Sequence, residues 1–402
     1  MAVCSYSMIC DTQDFLYNPD VGNNIFEYIY FLNNVMCYVS TYYYVYHGIR
    51  QYNKWPELMD RMKKLDQKIR REIPMNDQPI KTAEAVAILA AYACCPLMLI
   101  IHILYCYLTN PTDIFMPDLL LYYLISQSLI NSFVFDIIVY VLYCRFQTIN
   151  KLIGQLNELS DVLRITIKIG RIKGLHIGIC NLVSMVNDIH GLHLLFCSLN
   201  CFTMAVATLF QLYIFVVKKD SYFIVRNNFL CIVYVTQFCL ICWICTLARQ
   251  ESNRTGRIIF EIISNYKSGN LDKHEPRNQS NLKVQPPLDD LDDEQSSNRS
   301  NNHNLSYVVR ENLLRTNLDR ECITKEINNF SIQLQQNPVA FTACDFFEIN
   351  NTLFSGFVGV IVTYLVIFIQ LYQPEDFNNL LKKYLSEICS ENVKNMTLDH
   401  NN

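Results

Sequence analysis

The chain has 402 residues, a formal net charge of −4, 51% hydrophobic residues and only 17% charged ones. A soluble domain carries charge at about a quarter of its positions, so this composition excludes an ordinary soluble protein and implies a polytopic, all-α membrane protein. The apolar runs are too long for barrel strands and do not alternate, and no nucleic-acid partner is expected.

Residues 1–25 form an N-terminal segment with no full span, and MAVCSYSMICDTQDF has no basic region of the kind that opens a cleaved signal peptide. Six spans follow: Phe26–Tyr46, Glu84–Leu108, Leu119–Tyr143, Gly191–Val217, Phe223–Leu247 and Thr352–Tyr372. Each is long enough to cross ~30 Å of hydrocarbon as a helix. The first five make up a bundle over 26–247. The loop His47–Thr82 is rich in Lys and Arg, Thr109–Asp118 has neither, and Arg145–His190 is basic again. The positive-inside rule puts both basic loops in the cytoplasm, followed by a third cytoplasmic segment over 248–351, and leaves the tail 373–402 outside. Asn395 in that tail is a glycosylation candidate.

The cytoplasmic segments carry helical periodicity of their own. Trp55–Arg71, Tyr143–Leu163 and Arg310–Leu334 repeat apolar residues at helical spacing, which predicts helix extensions that pack as a bundle below the membrane. Lys267–Ser306 has few apolar residues, a Pro pair and an acidic cluster, and is expected to be disordered.

Polar groups inside spans need partners or water. The third span has the richest set: Ser128, Ser132 and Asp136 repeat at i, i+4, i+8, flanked by Gln127 and Asn131. Asp136 reads as a member of a buried polar network. Further ligand-pocket candidates are His102, Asn200, Gln211, Gln237 and Trp243. His190 and His193 lie at the mouth of the fourth span without a carboxylate or Cys set, so an interfacial role is expected rather than a metal site. Cys239, Cys242 and Cys245 sit in an apolar helix with no following Gly-rich loop, and no metal or cofactor is expected there. No catalytic motif is present, so no enzyme is expected.

The last span has one narrow stripe of small or polar residues: Thr352, Gly356, Gly359, Thr363, Val366 and Gln370. Such a stripe faces a close helical partner or water. Within it, Thr363-Tyr364 is followed by five hydrophobic residues and Gln370-Leu371. This resembles the signature of the insect gustatory receptors, Thr-Tyr, five hydrophobics, Gln-Phe. The preceding residues Phe330, Ser331, Gln333, Leu334, Phe341, Thr342, Ala343 and Asn350 are similar to that family's C-terminal block.

The resemblance implies a receptor that is itself a ligand-gated, non-selective cation channel, with four subunits around a central pore. The last helix, 352–372, would line the pore, and cytoplasmic helix extensions would form the anchor between subunits. Thr363, Val366, Gln370 and Leu371 would form the pore and its gate, Tyr364 would couple the pore helix to its neighbours, and Gly356 and Gly359 would be close-packing positions. The partners would be a small organic tastant, permeating cations, membrane lipid and further receptor subunits in a homo- or hetero-tetramer. The location would be the plasma membrane of chemosensory neurons. Three departures stand out: Leu371 replaces the family's Phe, Asp345 stands where the block often has Gly, and six spans are visible where the family has seven. The alternatives are a seven-helix G-protein-coupled receptor, which needs a cytoplasmic C-terminus, and a transporter, which would carry an internal repeat.

Overall fold

The computed structural model describes residues 2–17, 25–50, 53–109, 116–158, 162–218, 224–268 and 321–371. The side chains of His102, Gln211 and Leu371, residues 269–306 of the acidic stretch, and the tail with Asn395 lie outside what is described. Helices dominate: α1 Ala2–Tyr17, α2 Ile25–Arg50, α3 Lys54–Glu72, α4 Gln78–Thr109, α5 Met116–Gly154, α6 Val162–Lys218 and α7 Ile224–Ser268. A helix α8 over 321–336 follows, then strands β1 Thr342–Ala343 and β2 Phe347–Glu348, and finally α9 Asn351–Leu371.

Every described residue of the six expected spans is helical. Among the described residues four of them, α4 to α7, carry stretches long and apolar enough to cross a membrane, and α9 adds a shorter one, Asn351–Ile367. Helix α2 falls short in hydropathy because it holds seven tyrosines, two asparagines and Glu27. Its small polar residues Asn34, Ser40 and Thr41 are buried. The segment ahead of it forms α1, which packs antiparallel on α2. Phe15 stacks on Phe31 with centroids 4.4 Å apart, and Ser5 Oγ meets the Tyr42 hydroxyl.

Helices α5, α6 and α7 are the frame. At 39, 57 and 45 residues they are ~60 to ~85 Å long, far more than a bilayer needs, so each runs on below it. On α5 the residues Phe135, Ile138, Leu142, Phe146, Ile149 and Ile153 recur every three or four positions, and all are buried. That stripe holds α6 and α7 against one face of α5. In the half expected to lie in lipid, packing and hydrogen bonds do the work. Below it, water is the alternative environment, and each buried Ile or Phe contributes about 1.5–3 kcal/mol. Helix α5 was expected to run to Leu163, but the α-helix ends at Gly154 and a tighter turn covers Gln155–Glu158.

The bundle formed by the extensions of α5, α6 and α7 is closed by α3 and α8. Helix α3 matches its amphipathic pattern almost to the residue, with Pro56 in its first turn, where a missing N–H costs nothing. Leu58, Leu65 and Ile69 point inward. Helix α3 descends beside both α5 and α6: Trp55 lies 5.4 Å from His190, Arg145 binds Asp66, and Arg171 binds Glu72. On α8, Ile323, Ile327 and Phe330 enter the same core.

Candidate functional site

Helix α9 is held at its start by three separate devices. Asn350 caps it, its Oδ1 accepting from the Leu353 N–H at 2.8 Å. The Asn351 N–H donates to Thr246 Oγ1 of α7 at 2.9 Å, and Arg249 of α7 pairs with Glu348 at 2.5 Å. The antiparallel hairpin β1–β2 leads into it. In the hairpin's turn both Cys344 and Asp345 have positive φ, 52° and 59°. This is backbone that Gly would relieve, and Asp345 tolerates it with its carboxylate accepting from Thr342 Oγ1 at 2.9 Å. The hairpin rests on α6 at Gly191, where an added Cβ would stand 3.0 Å from the Cys344 nitrogen. The Asn187 amide clamps the strand before it, donating to the Ala340 carbonyl at 2.9 Å and accepting from the Thr342 N–H at 3.3 Å.

Above that base α9 uses one face only. Phe354, Phe357 and Ile361 pack on α6 and α7, with Phe357 at 4.9 Å from Phe238 and 5.7 Å from Phe202. Tyr364 meets Phe202 edge-on at 5.6 Å. The other face carries the small and polar stripe: Thr352, Gly356, Gly359, Thr363, Val366 and Gln370 are all exposed. The Thr363 hydroxyl donates to the Gly359 carbonyl at 3.0 Å, so the helix partly satisfies its own polar group. Gly356 and Gly359 are not packing positions within the chain, since a Cβ on either would meet nothing within 4 Å.

The polar residues of α5 split by face. Ser128, Ser132 and Asp136 are buried, whereas Gln127 and Asn131 are half-buried at the edge. The Ser132 hydroxyl donates to the Ser128 carbonyl and lies 3.1 Å from His193 Nε2 of α6. One turn on, Gln237 of α7 donates to Asp136 Oδ2 at 2.7 Å. The two contacts tie α5 to α6 and to α7 at one level. Asn200 is not part of this seam; it reaches Ser40 of α2 at 3.4 Å. Trp243 is half exposed on the outer side of α7, because six residues beyond Gln237 is about 240° around a helix. His190 and His193 are core residues rather than interfacial ones, 5% and 3% exposed, with His190 edge-on to Phe135 at 5.2 Å.

One strong contact escaped the sequence reading. Arg145, 6% exposed, binds Asp66 through Nε at 2.6 Å and through a second nitrogen at 2.8 Å. It is the one cation directly below the third span, and its burial demands a carboxylate partner; the acidic residues of α3 were the available set. Nearby, Asn150 binds both the Glu251 backbone carbonyl and its carboxylate, and receives the Thr255 hydroxyl at 2.7 Å.

Long helices, four of them with stretches apolar enough to cross a membrane, that run on into a shared bundle, with one polar-striped helix presented at the surface, define a multi-pass helical membrane-protein architecture. Residues 1–272 and 304–373 match the model of the 7tm chemosensory receptor family, and the chain belongs to that family. The interruption, 273–303, falls inside the stretch singled out by composition. An insect olfactory receptor, OR5 of Machilis hrabei, has the same fold: TM-score 0.58 at 10% identity, covering 92% of this chain and 87% of that one. The same receptor in complex with eugenol superposes with TM-score 0.51 at 12% identity, over 86% and 80% of the two chains. A search of curated proteins finds no match. The resemblance carried by the C-terminal block is thus borne out as to an insect chemoreceptor family.

Proposed function

We propose that this chain is a subunit of a gustatory-type, tastant-gated, non-selective cation channel of the plasma membrane. Four subunits, identical or mixed, would surround a pore lined by the exposed stripe of α9. One observation carries the reading: a helix of a membrane protein leaves Thr352, Thr363 and Gln370 uncovered on a single face while on the other it buries Ile361 and half-buries Phe354 and Phe357. Lipid is a poor solvent for such a stripe; a water-filled axis shared with other subunits is a good one. The Thr363-Tyr364 to Gln370-Leu371 signature favours the gustatory over the olfactory branch. The ligand would be a small organic molecule, as eugenol is for the Machilis receptor.

Gating would be a shift between two arrangements, with the ligand binding the open one better. The seam Ser132–His193 and Asp136–Gln237 joins the three frame helices, and Thr246–Asn351 and Arg249–Glu348 join α7 to the foot of α9. A ligand that spreads α5, α6 and α7 would therefore move α9. The test is whole-cell recording from cells expressing the chain, alone and with other receptor subunits, during perfusion of small organic compounds. Ligand-evoked cation current that Gln370→Ala and Leu371→Ala alter is expected; an active channel whose conductance and gating ignore both substitutions sinks the pore assignment.

A further inference from the structure

A cleft of about 740 Å³ opens between α3 and the cytoplasmic part of α6. Its walls are cationic: Arg61, Lys64, Lys68 and Arg71 come from α3, and Arg171 faces them from α6. Among the described residues its only carboxylate is Glu72. Three of the cations already have partners, Arg61 with Glu57 at 2.6 Å, Lys64 with Asp60 at 2.6 Å and Arg171 with Glu72 at 3.0 Å. Lys68 and Arg71 have none among the described residues, so the cleft keeps an excess of positive charge on its α3 wall.

The floor is what separates this cleft from an ordinary basic helix face. It is formed in part by Gly174 and Gly178 of α6. Gly178 lets α3 approach, since a Cβ there would stand 2.9 Å from Leu65 Cδ1, whereas a Cβ on Gly174 would meet nothing within 4 Å. Two helices are thus brought close at one glycine and leave a hollow at the other. The volume far exceeds one phosphate, and the unpaired cations sit three residues apart on one wall, so several anionic groups on one compact molecule fit best. Among the described residues the lining offers no aromatic ring on which a base could stack. Both walls lie in loops read as cytoplasmic, and α3 starts beside His190, the last residue of the second of those basic loops.

We propose that this cleft binds a polyphosphorylated polyol, the chemistry shared by inositol polyphosphates and phosphoinositide headgroups. Bound there, the ligand bridges α3 to α6, and Arg145–Asp66 already ties α3 to α5. It would thus brace the cytoplasmic bundle from which α9 rises. The proposal does not depend on the channel reading; its measurements are of binding.

The test uses the full-length protein. In detergent, inositol hexakisphosphate is titrated by calorimetry; in phosphatidylcholine nanodiscs, phosphatidylinositol 4,5-bisphosphate is compared with charge-matched phosphatidylserine by thermal unfolding. Three variants are needed: Lys68→Gln with Arg71→Gln, Gly174→Leu, which fills the hollow without changing charge, and Gly174→Ala, which leaves it open. Neutralisation and Gly174→Leu each weaken binding by about tenfold or more, and Gly174→Ala binds like the parent. Binding of the soluble probe without a lipid preference assigns a free polyphosphate; selective stabilisation by the phosphoinositide assigns a lipid headgroup. The proposal fails if inositol hexakisphosphate does not bind and the phosphoinositide stabilises no more than phosphatidylserine, or if Gly174→Leu binds as tightly as the parent, which would reveal a solvated basic face.

Discussion

Replacing Arg145 by Ala removes the one buried Lys or Arg among the described residues. The guanidinium is 6% exposed and makes two charge-assisted bonds to Asp66, which is 22% exposed, with Asp77 a further 3.9 Å away. Breaking a fully buried pair costs about 3–5 kcal/mol. Asp66 keeps some water, which screens the charge left behind, so the expected loss is about 2–4 kcal/mol. Arg145→Lys keeps charge but loses the two-pronged geometry, and falls between parent and Ala. Asp66→Ala strands a better-buried charge and is expected to be at least as damaging as Arg145→Ala. Joining both in Arg145→Ala, Asp66→Ala restores part of the summed loss, with a coupling of about 1–3 kcal/mol. The assay is thermal unfolding in detergent followed with a thiol-reactive fluorophore, because Cys197, Cys201, Cys242 and Cys245 are at most 3% exposed and react only when the helices separate. If Arg145→Ala unfolds within about a degree of the parent, or the double variant shows simple additivity, the pair does not hold α3 to α5 as argued.

Three further outcomes follow from the same geometry. Gly191→Ala pushes a methyl against hairpin backbone at 3.0 Å and should destabilise by about 1–3 kcal/mol, whereas Gly178→Ala meets only the movable end of Leu65 at 2.9 Å and should cost less; equal losses would contradict the hairpin's seat on α6. Burial among Phe146 and Phe330 holds the His176 imidazole down to about 4. A base depressed in the folded state binds fewer protons than when unfolded, so stability falls as pH drops below about 6.5, by about 2 kcal/mol at pH 5. His176→Phe should flatten that pH dependence of the unfolding temperature, and an unchanged slope would refute the assignment. Finally, Asn395 should carry a glycan removable by peptide N-glycosidase; an unglycosylated tail reached by protease only from the cytoplasm would reverse the topology.

The pattern of the fold was legible wherever one element carried its own periodicity. Helix α3 repeats Leu58, Leu65 and Ile69 toward one side, and α9 begins one residue from where the apolar run begins. Ser128, Ser132 and Asp136 fell on one face by spacing, and one face buries all three. Pairings across long loops left no such trace: Arg145 and Asp66 are 79 residues apart, Ser132 and His193 are 61, and Asn187 clamps a strand 153 residues away. A single sequence holds each half of such a contact without saying which halves meet. The helical count of α2 was hidden in a different way, by tyrosines that lower hydropathy while their rings still pack, as Tyr43 does on Phe196 at 5.5 Å. The outward turn of Trp243 could have been read from its offset from Gln237 alone.

The central claim is that α9 turns its small, polar stripe to water and its aromatic face to α6 and α7. Cysteine scanning during recording tests it directly. Thr363→Cys and Val366→Cys, exposed on the stripe, should make ligand-evoked current sensitive to a charged methanethiosulfonate reagent above the parent's background, while Ile361→Cys, 7% exposed and packed on Ala205 and Val206, should not. Block at Ile361→Cys with none at Thr363→Cys or Val366→Cys would contradict it.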